Sequence, residues 1–194
     1  MKIGLTGGIG SGKTTISKMF EKLGCKLYNS DKRAKVLYFI PEIRSKIIEL
    51  FSENVYISEN EIDKDFLFDI IFNDQDKLKS LNDVLFPFIK EDFKEFVKIY
   101  PNDIVILESA ILFESAIYKD MDFNILVTAP EHIRIERVIK RNNILRDKVE
   151  QCIKNQWPDD KKSYLSDFEI SNIDLVDSEQ DVLKIMKILT IYSK

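Results

Sequence analysis

Five short strand-like segments, separated by amphipathic segments, dominate the pattern of hydrophobic and polar positions along the chain. They lie at residues 3–5, 25–28, 103–107, 124–128 and 168–170. Residues 103–107 and 124–128 are continuous apolar runs with β-branched residues, which are typical of strands covered on both faces. Because the five segments alternate with helical patterns, they predict an α/β fold with a central parallel five-stranded sheet and helical cover.

The remaining apolar residues recur at three- and four-residue steps, which predicts helices at residues 14–23, 131–141, 146–155 and 178–192. Residues 41–100 follow the same pattern without a convincing strand, and Phe86-Pro87 predicts a helix break within them. We therefore expect one domain. Its core covers residues 1–30, 101–135 and 167–194, with a helical substrate-binding insertion at about 31–100 and a helical lid at about 137–166.

Composition narrows the class of protein. The chain has 194 residues, 44% apolar content and a net charge of −4, which is ordinary for a globular domain and argues against general nucleic-acid binding. No apolar run approaches membrane-spanning length, and the first strand begins directly after Met1, so we expect neither a membrane span nor a signal peptide. Cys25 and Cys152 fit no metal-binding spacing and indicate free thiols, which favours a cytoplasmic protein.

A glycine-rich segment between the first strand and the first helix carries the most specific motif. Gly7 to Thr14 matches G-x-x-x-x-G-K-[ST], the phosphate-binding loop, or P-loop. Backbone N–H groups of such a loop bind phosphate oxygens, its lysine reaches the β- and γ-phosphates, and its threonine hydroxyl ligates Mg²⁺. The motif predicts ATP and Mg²⁺ as ligands. The predicted nucleotide contacts are Gly8, Ile9, Gly10, Ser11, Gly12, Lys13, Thr14 and Thr15.

The distribution of glycine excludes two relatives of this motif. All six glycines fall within the first 24 residues, so a later D-x-x-G switch or a transporter-type glycine signature is impossible. No N-K-x-D guanine motif occurs either. A molecular switch is therefore disfavoured.

Three further features are candidates for chemistry. Asp31 follows the second strand, where a carboxylate can serve catalysis or cap the next helix, and its position alone favours the cap. Arg134, Arg137 and Arg141 share one helical face, which predicts an arginine lid over the transferring phosphate. His132, the single histidine, is expected on the surface.

Several separated segments together resemble the dephospho-coenzyme A kinase family of P-loop kinases. The opening GLTGGIGSGKTT resembles that family's N-terminus almost residue for residue, and Asn29-Ser30-Asp31 lies where the family has D-A-D. DKDFLFDIIF resembles R-x-x-L-R-x-x-I-F, LNDVLFPFI resembles L-N-x-x-x-H-P-x-I, and ESAILFE resembles D-x-P-L-L-F-E. Gln156 and Asn172 match a late glutamine and asparagine. The similarity covers about residues 1–172.

The chain departs from the family pattern at several of these positions. Asn29 replaces the first aspartate, and Phe86 replaces the histidine before Pro87. Lys64 and Phe68 replace two arginines. Most of the substitutions fall in the segment expected to bind the acceptor.

The resemblance implies transfer of the γ-phosphoryl group of MgATP to the ribose 3′-hydroxyl of dephospho-CoA, the final step of CoA biosynthesis. It implies a catalytic role for Asp31, which reverses the preference for a cap, and catalytic roles for Lys13, Arg137 and Arg141, with Arg141 also contacting ATP. Glu108 becomes a candidate for holding Mg²⁺ through water. The implied acceptor contacts are Asp31, Lys64, Leu112 and Glu114, although Leu112 also fits a core position.

Two alternatives remain open from the sequence. One is a small-molecule kinase of the same fold that acts on a nucleoside monophosphate or a shikimate-like acceptor. The other is a regulatory ATPase that binds nucleotide without transferring phosphate. In either case we expect a monomer or weak homo-oligomer without nucleic-acid or membrane partners.

Overall fold

A computed structural model describes residues 1–193 of the chain, with the side chain of Phe72 excepted. Strands and helices alternate along most of it. In chain order, the elements are β1 (Lys2–Thr6), α1 (Lys13–Lys22), β2 (Lys26–Asn29), α2 (Ser30–Leu37), α3 (Pro41–Phe51), β3 (Tyr56–Ser58), β4 (Glu61–Ile62), α4 (Lys64–Phe72), α5 (Gln75–Ile99), β5 (Val105–Glu108), β6 (Phe123–Thr128), α6 (Glu131–Asn142), α7 (Arg146–Lys154), α8 (Asp159–Ser163), β7 (Phe168–Ser171) and α9 (Leu175–Tyr192).

The chain forms two compact units. The sheet unit contains Met1–Asn29 together with the chain from Glu95 onward, and the helical unit contains Ser30–Lys94. The predicted parallel sheet is confirmed in the sheet unit, where the strands follow the order β2-β5-β1-β6-β7. Leu5 and Asn29 are both register partners of Glu108, so β1, β2 and β5 end at the same edge of the sheet.

The core of the sheet unit lies between the sheet and two helices. Ile16 and Phe20 of α1, with Val182, Ile185 and Leu189 of α9, pack in one cluster with alternate residues of the strands, including Ile3 and Leu5. Gly4 faces the other way in β1, and a Cβ on it would lie 2.6 Å from the side chains of Leu112 and Asn124. Helices α1 and α9 therefore cover one face of β1, and the loop after β5 covers the other.

The helical unit contains a two-stranded hairpin that the hydrophobic pattern missed. β3 and β4 pair antiparallel around a two-residue turn, Glu59-Asn60. The Arg44 guanidinium lies 3.9 Å from the centroid of the Tyr56 ring, and the Tyr56 hydroxyl donates to the carbonyl of Tyr38 at 2.8 Å. Strands of three and two residues are too short to show alternation, and the turn lacks the Asn-Gly or Asp-Gly pair that marks hairpins.

The predicted helix break at Phe86-Pro87 is wrong, because α5 runs through Pro87 without interruption from Gln75 to Ile99. Pro87 lacks an N–H and its ring crowds the preceding turn, which usually kinks or ends a helix. Here the apolar residues on both sides of it, Leu81, Leu85, Ile89 and Phe93, are buried. Their burial outweighs the local cost of the proline.

The two cysteines are buried free thiols, as the sequence indicated. Burial raises the pKa of the Cys25 thiol and of the Cys152 thiol to about 11 in each case. Both side chains are therefore neutral at physiological pH. Over residues 1–193, no helix combines the length and the apolar character needed to cross a bilayer.

We expect Pro87→Ala to stabilise the protein by about 1–2 kcal/mol, because it restores a helical hydrogen bond and removes the ring clash. Pro87 is exposed, so no core packing is lost. Thermal or urea unfolding followed by circular dichroism would measure the change. Pro41→Ala is the matched control: Pro41 opens α3, where proline is favoured, and its replacement should give no stabilisation. A lower or unchanged midpoint for Pro87→Ala would contradict this account of α5.

Candidate active site

The P-loop joins β1 to α1 at the edge of the sheet where the strands end. Gly10 and Gly12 have φ values of 80° and 94°, a conformation that residues with a Cβ rarely adopt. Helix α1 begins at Lys13, and its N-cap residue is Gly12, which has no side chain to cap the helix. Its first N–H groups are thus directed at an anion site, where the helix dipole also favours negative charge.

Lys13 folds back over the loop that precedes it. Its ammonium donates to the carbonyl oxygens of Gly7 at 2.9 Å and Gly8 at 3.3 Å, and the residue is 8% exposed. A cation held at the mouth of an N–H-lined loop attracts the phosphate chain of a nucleotide. The position fits the role predicted for Lys13.

Glu108 meets the start of α1 through two hydroxyl groups. The Thr14 hydroxyl donates to Oε1 of Glu108 at 2.5 Å, and the Ser17 hydroxyl donates to Oε2 at 2.9 Å. Glu108 is the last residue of β5 and is 4% exposed, so the carboxylate is fixed beside the P-loop threonine. The structure therefore brings together the two residues that the sequence and the resemblance proposed separately for Mg²⁺.

This pair of oxygen ligands fits Mg²⁺, which binds one or two protein oxygens and completes its shell with phosphates and water. Within residues 1–193, no group of three histidine, cysteine, aspartate or glutamate side chains could hold a metal by itself. A site at Thr14 and Glu108 would depend on bound nucleotide.

Two residues from the second half of the chain hold the P-loop backbone. The Asn172 amide donates to the Ser11 carbonyl at 2.7 Å, and its Oδ1 accepts from the Ser178 hydroxyl at 3.2 Å. The Gln156 Oε1 accepts the Ile9 N–H at 2.8 Å. The resemblance singled out Gln156 and Asn172, but their contacts to the loop were not predicted, because nothing in their local sequence indicates a partner about 150 residues away.

The three arginines of α6 have different environments. Arg134 is buried, and its guanidinium donates to both carboxylate oxygens of Asp159 at 3.0 and 3.2 Å. Its charge is therefore used in an internal ion pair and does not serve the predicted arginine lid. Arg137 reaches the P-loop, with Nη1 3.5 Å from the Ser11 carbonyl. Arg141 is exposed at the end of α6 and donates to Asn142.

Helices α6 and α7 share a small apolar cluster that includes the P-loop. Ile135, Val138 and Val149 form its buried centre, and Ile9 packs against it. The one apolar side chain inside the P-loop motif thus belongs to the core of the predicted lid segment. His132 is exposed, as expected.

The residues implied as acceptor contacts lie in both units. In the sheet unit, Glu114 accepts the Trp157 N–H at 2.9 Å and pairs with Lys162 at 3.1 Å. Leu112 is fully buried, so its side chain is part of the core and offers no exposed surface to an acceptor.

In the helical unit, Lys64 is exposed at the first residue of α4. Asp31 is exposed at the second residue of α2, in its first turn. Because Asp31 lies inside the helix rather than before it, the N-cap interpretation is not supported.

Comparisons of this chain with a family model, with known sequences and with solved structures agree with one another. The family model described as dephospho-CoA kinase matches residues 1–177. A dephospho-CoA kinase of Fusobacterium nucleatum is 33% identical over 172 residues, which cover 89% of each chain. Among solved structures, a Thermus thermophilus protein superposes with a TM-score of 0.84 at 26% identity, covering 97% of this chain and 96% of the other. Dephospho-CoA kinase from Campylobacter jejuni has the same fold, with a TM-score of 0.70 at 24% identity over the full length of both chains.

Gly12→Ala should weaken nucleotide binding, because a Cβ there would collide with the Asn172 amide that holds Ser11. We expect the dissociation constant for ATP to rise by roughly tenfold or more. The variant loses one hydrogen bond between uncharged groups and gains a steric clash. Fluorescence titration with a labelled nucleotide would measure it.

Gly24→Ala is the matched control for this prediction. Gly24 has a similar φ of 100°, but nothing lies within 4 Å of the site of its Cβ. It should therefore incur the same backbone strain, about 1–2 kcal/mol, without affecting nucleotide affinity. Equal losses of affinity in the two variants would show that strain alone, and not the Asn172 contact, determines binding.

Proposed function

Because this chain belongs to the dephospho-CoA kinase family, we propose how its own residues transfer the γ-phosphoryl group of ATP to the ribose 3′-hydroxyl of dephospho-CoA, giving CoA and ADP. The observation that carries the proposal is the placement of Lys13, Thr14 and Glu108 around one loop at the carboxyl edge of a parallel sheet. In open α/β sheets this edge is where ligands bind.

The P-loop is the site for the phosphates of ATP. Phosphoryl transfer has a loose transition state, so catalysis consists mainly of positioning and charge stabilisation. The N–H groups at the start of α1 and the Lys13 ammonium supply that charge from fixed positions. Because they are already oriented, they need little reorganisation as charge moves onto the β–γ bridging oxygen.

Thr14 and Glu108 are the residues that would hold Mg²⁺, Thr14 directly and Glu108 through water. Magnesium held by these residues would supply positive charge that neutralises part of the charge on the phosphates. The hydrogen bonds from Thr14 and Ser17 fix both oxygens of Glu108, so the carboxylate keeps one orientation toward the P-loop.

Asp31 is the residue that would orient the acceptor hydroxyl. Its carboxylate would accept a hydrogen bond from the 3′-hydroxyl and take the proton as the new O–P bond forms and the bond to ADP breaks. Its exposure, and its place two residues beyond the end of β2, support this role.

Arg137 and Arg141 would neutralise the transferred phosphoryl group. Arg137 already contacts the P-loop carbonyl of Ser11. Arg141 lies one helical turn further along α6. Closure of the lid segment over the nucleotide would bring Arg141 to the transferred phosphoryl group and exclude water. Lys64 and Glu114 remain the proposed acceptor contacts, and the two free thiols support a cytoplasmic location.

The function is tested by incubating the protein with MgATP and, in parallel, dephospho-CoA, AMP, CMP or shikimate. Mass spectrometry should show one added phosphoryl group on dephospho-CoA alone. Lys13→Ala, prepared in the same way, controls for contaminating kinases and should turn over roughly 10²–10³ more slowly, as expected for a loss of about 3–4 kcal/mol of preorganised charge stabilisation.

Each alternative predicts a different result in this assay. Phosphorylation of AMP, CMP or shikimate in preference to dephospho-CoA would favour another acceptor. Slow ATP hydrolysis that no acceptor changes would favour a regulatory ATPase. Near-normal turnover by a folded Lys13→Ala variant would overturn the role of the P-loop.

Asp31→Asn should keep ATP affinity but lower the rate of transfer to dephospho-CoA by roughly 10²–10⁴, because an amide cannot take the hydroxyl proton. Asp65→Asn is the matched control, since Asp65 is an exposed aspartate in the first turn of α4. Steady-state kinetics and nucleotide titration would separate the two effects. Loss of ATP binding together with the fold in Asp31→Asn would instead indicate a structural role.

A further inference from the structure

Lys162 is a lysine whose side chain is fully buried, with 0% exposure. It lies on the short helix α8, and its ammonium contacts the Glu114 carboxylate at 3.1 Å and the Ala110 carbonyl at 3.4 Å. Both partners belong to the segment that follows β5. A buried ammonium is costly unless it is paired, and replacing such a pair by apolar residues is often neutral or stabilising. Stability alone is therefore a weak reason for this pair.

Glu114 connects Lys162 to the end of α7. The oxygen that pairs with Lys162, Oε1, also accepts the Trp157 N–H at 2.9 Å. The second oxygen, Oε2, is buried and finds no hydrogen-bond partner among the described residues. The Glu114 charge consequently depends on Lys162 for its compensation, and Glu114 in turn fixes the main chain at Trp157.

The residue before Trp157 completes the connection to the P-loop. Gln156 accepts the Ile9 N–H at 2.8 Å. Ile9 is also the P-loop side chain that packs against the apolar cluster of α6 and α7. Two adjacent residues, Gln156 and Trp157, thus join the P-loop to the segment after β5, and the Lys162–Glu114 ion pair secures one side of the junction. We call Lys162, Glu114, Trp157, Gln156 and Ile9 the bridge.

A second contact orients α8 independently of the bridge. Asp159, the first residue of α8, accepts two hydrogen bonds from buried Arg134, whose guanidinium also lies against Gly8 of the P-loop. Helix α8 is therefore held at Asp159 through Arg134, beside the P-loop, and at Lys162 by the segment after β5. The contact between Arg134 and Asp159 therefore helps to fix the helix that carries Lys162.

We propose that Lys162 is a positioning residue for phosphoryl transfer, which holds the P-loop at Ile9 and the acceptor-side segment at Ala110–Glu114 in one fixed relation. Lys162 does not touch the reacting atoms in this scheme. It acts through Glu114 on Trp157 and Gln156, and so on the P-loop backbone. This role rests on the proposed function where it is tested by the rate of transfer to dephospho-CoA. Hydrogen exchange at the Ile9 amide tests it without any acceptor.

The test uses Lys162→Met, which keeps an unbranched side chain of nearly the same length and removes the charge. Lys184→Met is the control, because Lys184 also pairs with one carboxylate, Asp181 at 2.9 Å, but on the exposed face of α9. In Lys162→Met we expect kcat for transfer to dephospho-CoA to fall by roughly 10- to 100-fold, the usual effect of a misplacement near 1 Å, with ATP affinity changed by less than about threefold. Lys184→Met should match the wild type.

Hydrogen exchange at the Ile9 amide, followed by nuclear magnetic resonance, reports on the bridge directly. Exchange should quicken in Lys162→Met and stay unchanged in Lys184→Met. The double variant Lys162→Met with Glu114→Gln removes both buried charges and should recover thermal stability relative to Lys162→Met. Protection of the Ile9 amide should nevertheless remain low, because the ion pair is still absent. The double variant also carries the test if Lys162→Met alone does not fold.

Other results would overturn the proposal. Wild-type kcat and Ile9 exchange in folded Lys162→Met would remove the positioning role. Recovery of Ile9 protection along with stability in the double variant would show that the pair serves stability only. If the wild type itself does not phosphorylate dephospho-CoA, the proposed function fails, and the Ile9 measurement still decides whether the bridge exists.

Discussion

The phosphate-binding loop keeps its shape through hydrogen bonds to its backbone from residues that are distant in the sequence. A glycine-rich loop has few side chains of its own to hold it and loses much conformational entropy when it becomes ordered. Asn172 supplies a donor to the Ser11 carbonyl, and Gln156 supplies an acceptor to the Ile9 N–H. Because these partners belong to the folded chain itself, the fold directs the N–H groups at the start of α1 toward the anion site.

The parallel sheet brings the acidic part of the site to this loop. Leu5 in β1 is the register partner of Glu108 in β5, so the two strands end side by side, and α1 starts close to that edge. Glu108 then reaches the hydroxyls of Thr14 and Ser17 across about 90 residues of sequence. A shift of one residue in the pairing would turn Glu108 to the opposite face of the sheet and separate it from both hydroxyls.

Most of the sheet and the position of the phosphate site could be predicted from the sequence, because both depend on local signals. Buried strands are continuous apolar runs, and the P-loop needs its glycines and Lys13 in a fixed order. The hairpin at Tyr56 was missed because its strands are too short to show a period. The break predicted at Pro87 was wrong because tertiary burial of α5 outweighs a local preference. The three arginines of α6 looked equivalent by spacing, but packing gave Arg134 an internal partner.

The amino-acid sequence was sufficient to predict the class of fold, the phosphate-binding loop and, through its resemblance to one family, the reaction. Those properties follow from residue type and spacing, which are present in the chain before it folds. Folding brings together side chains that the sequence did not pair: Glu108 with Thr14, Asn172 with Ser11, and buried Lys162 with Glu114. These contacts join residues that are about 50 to 160 positions apart, and their geometry depends on strand register and helix packing. No local pattern encodes such distances.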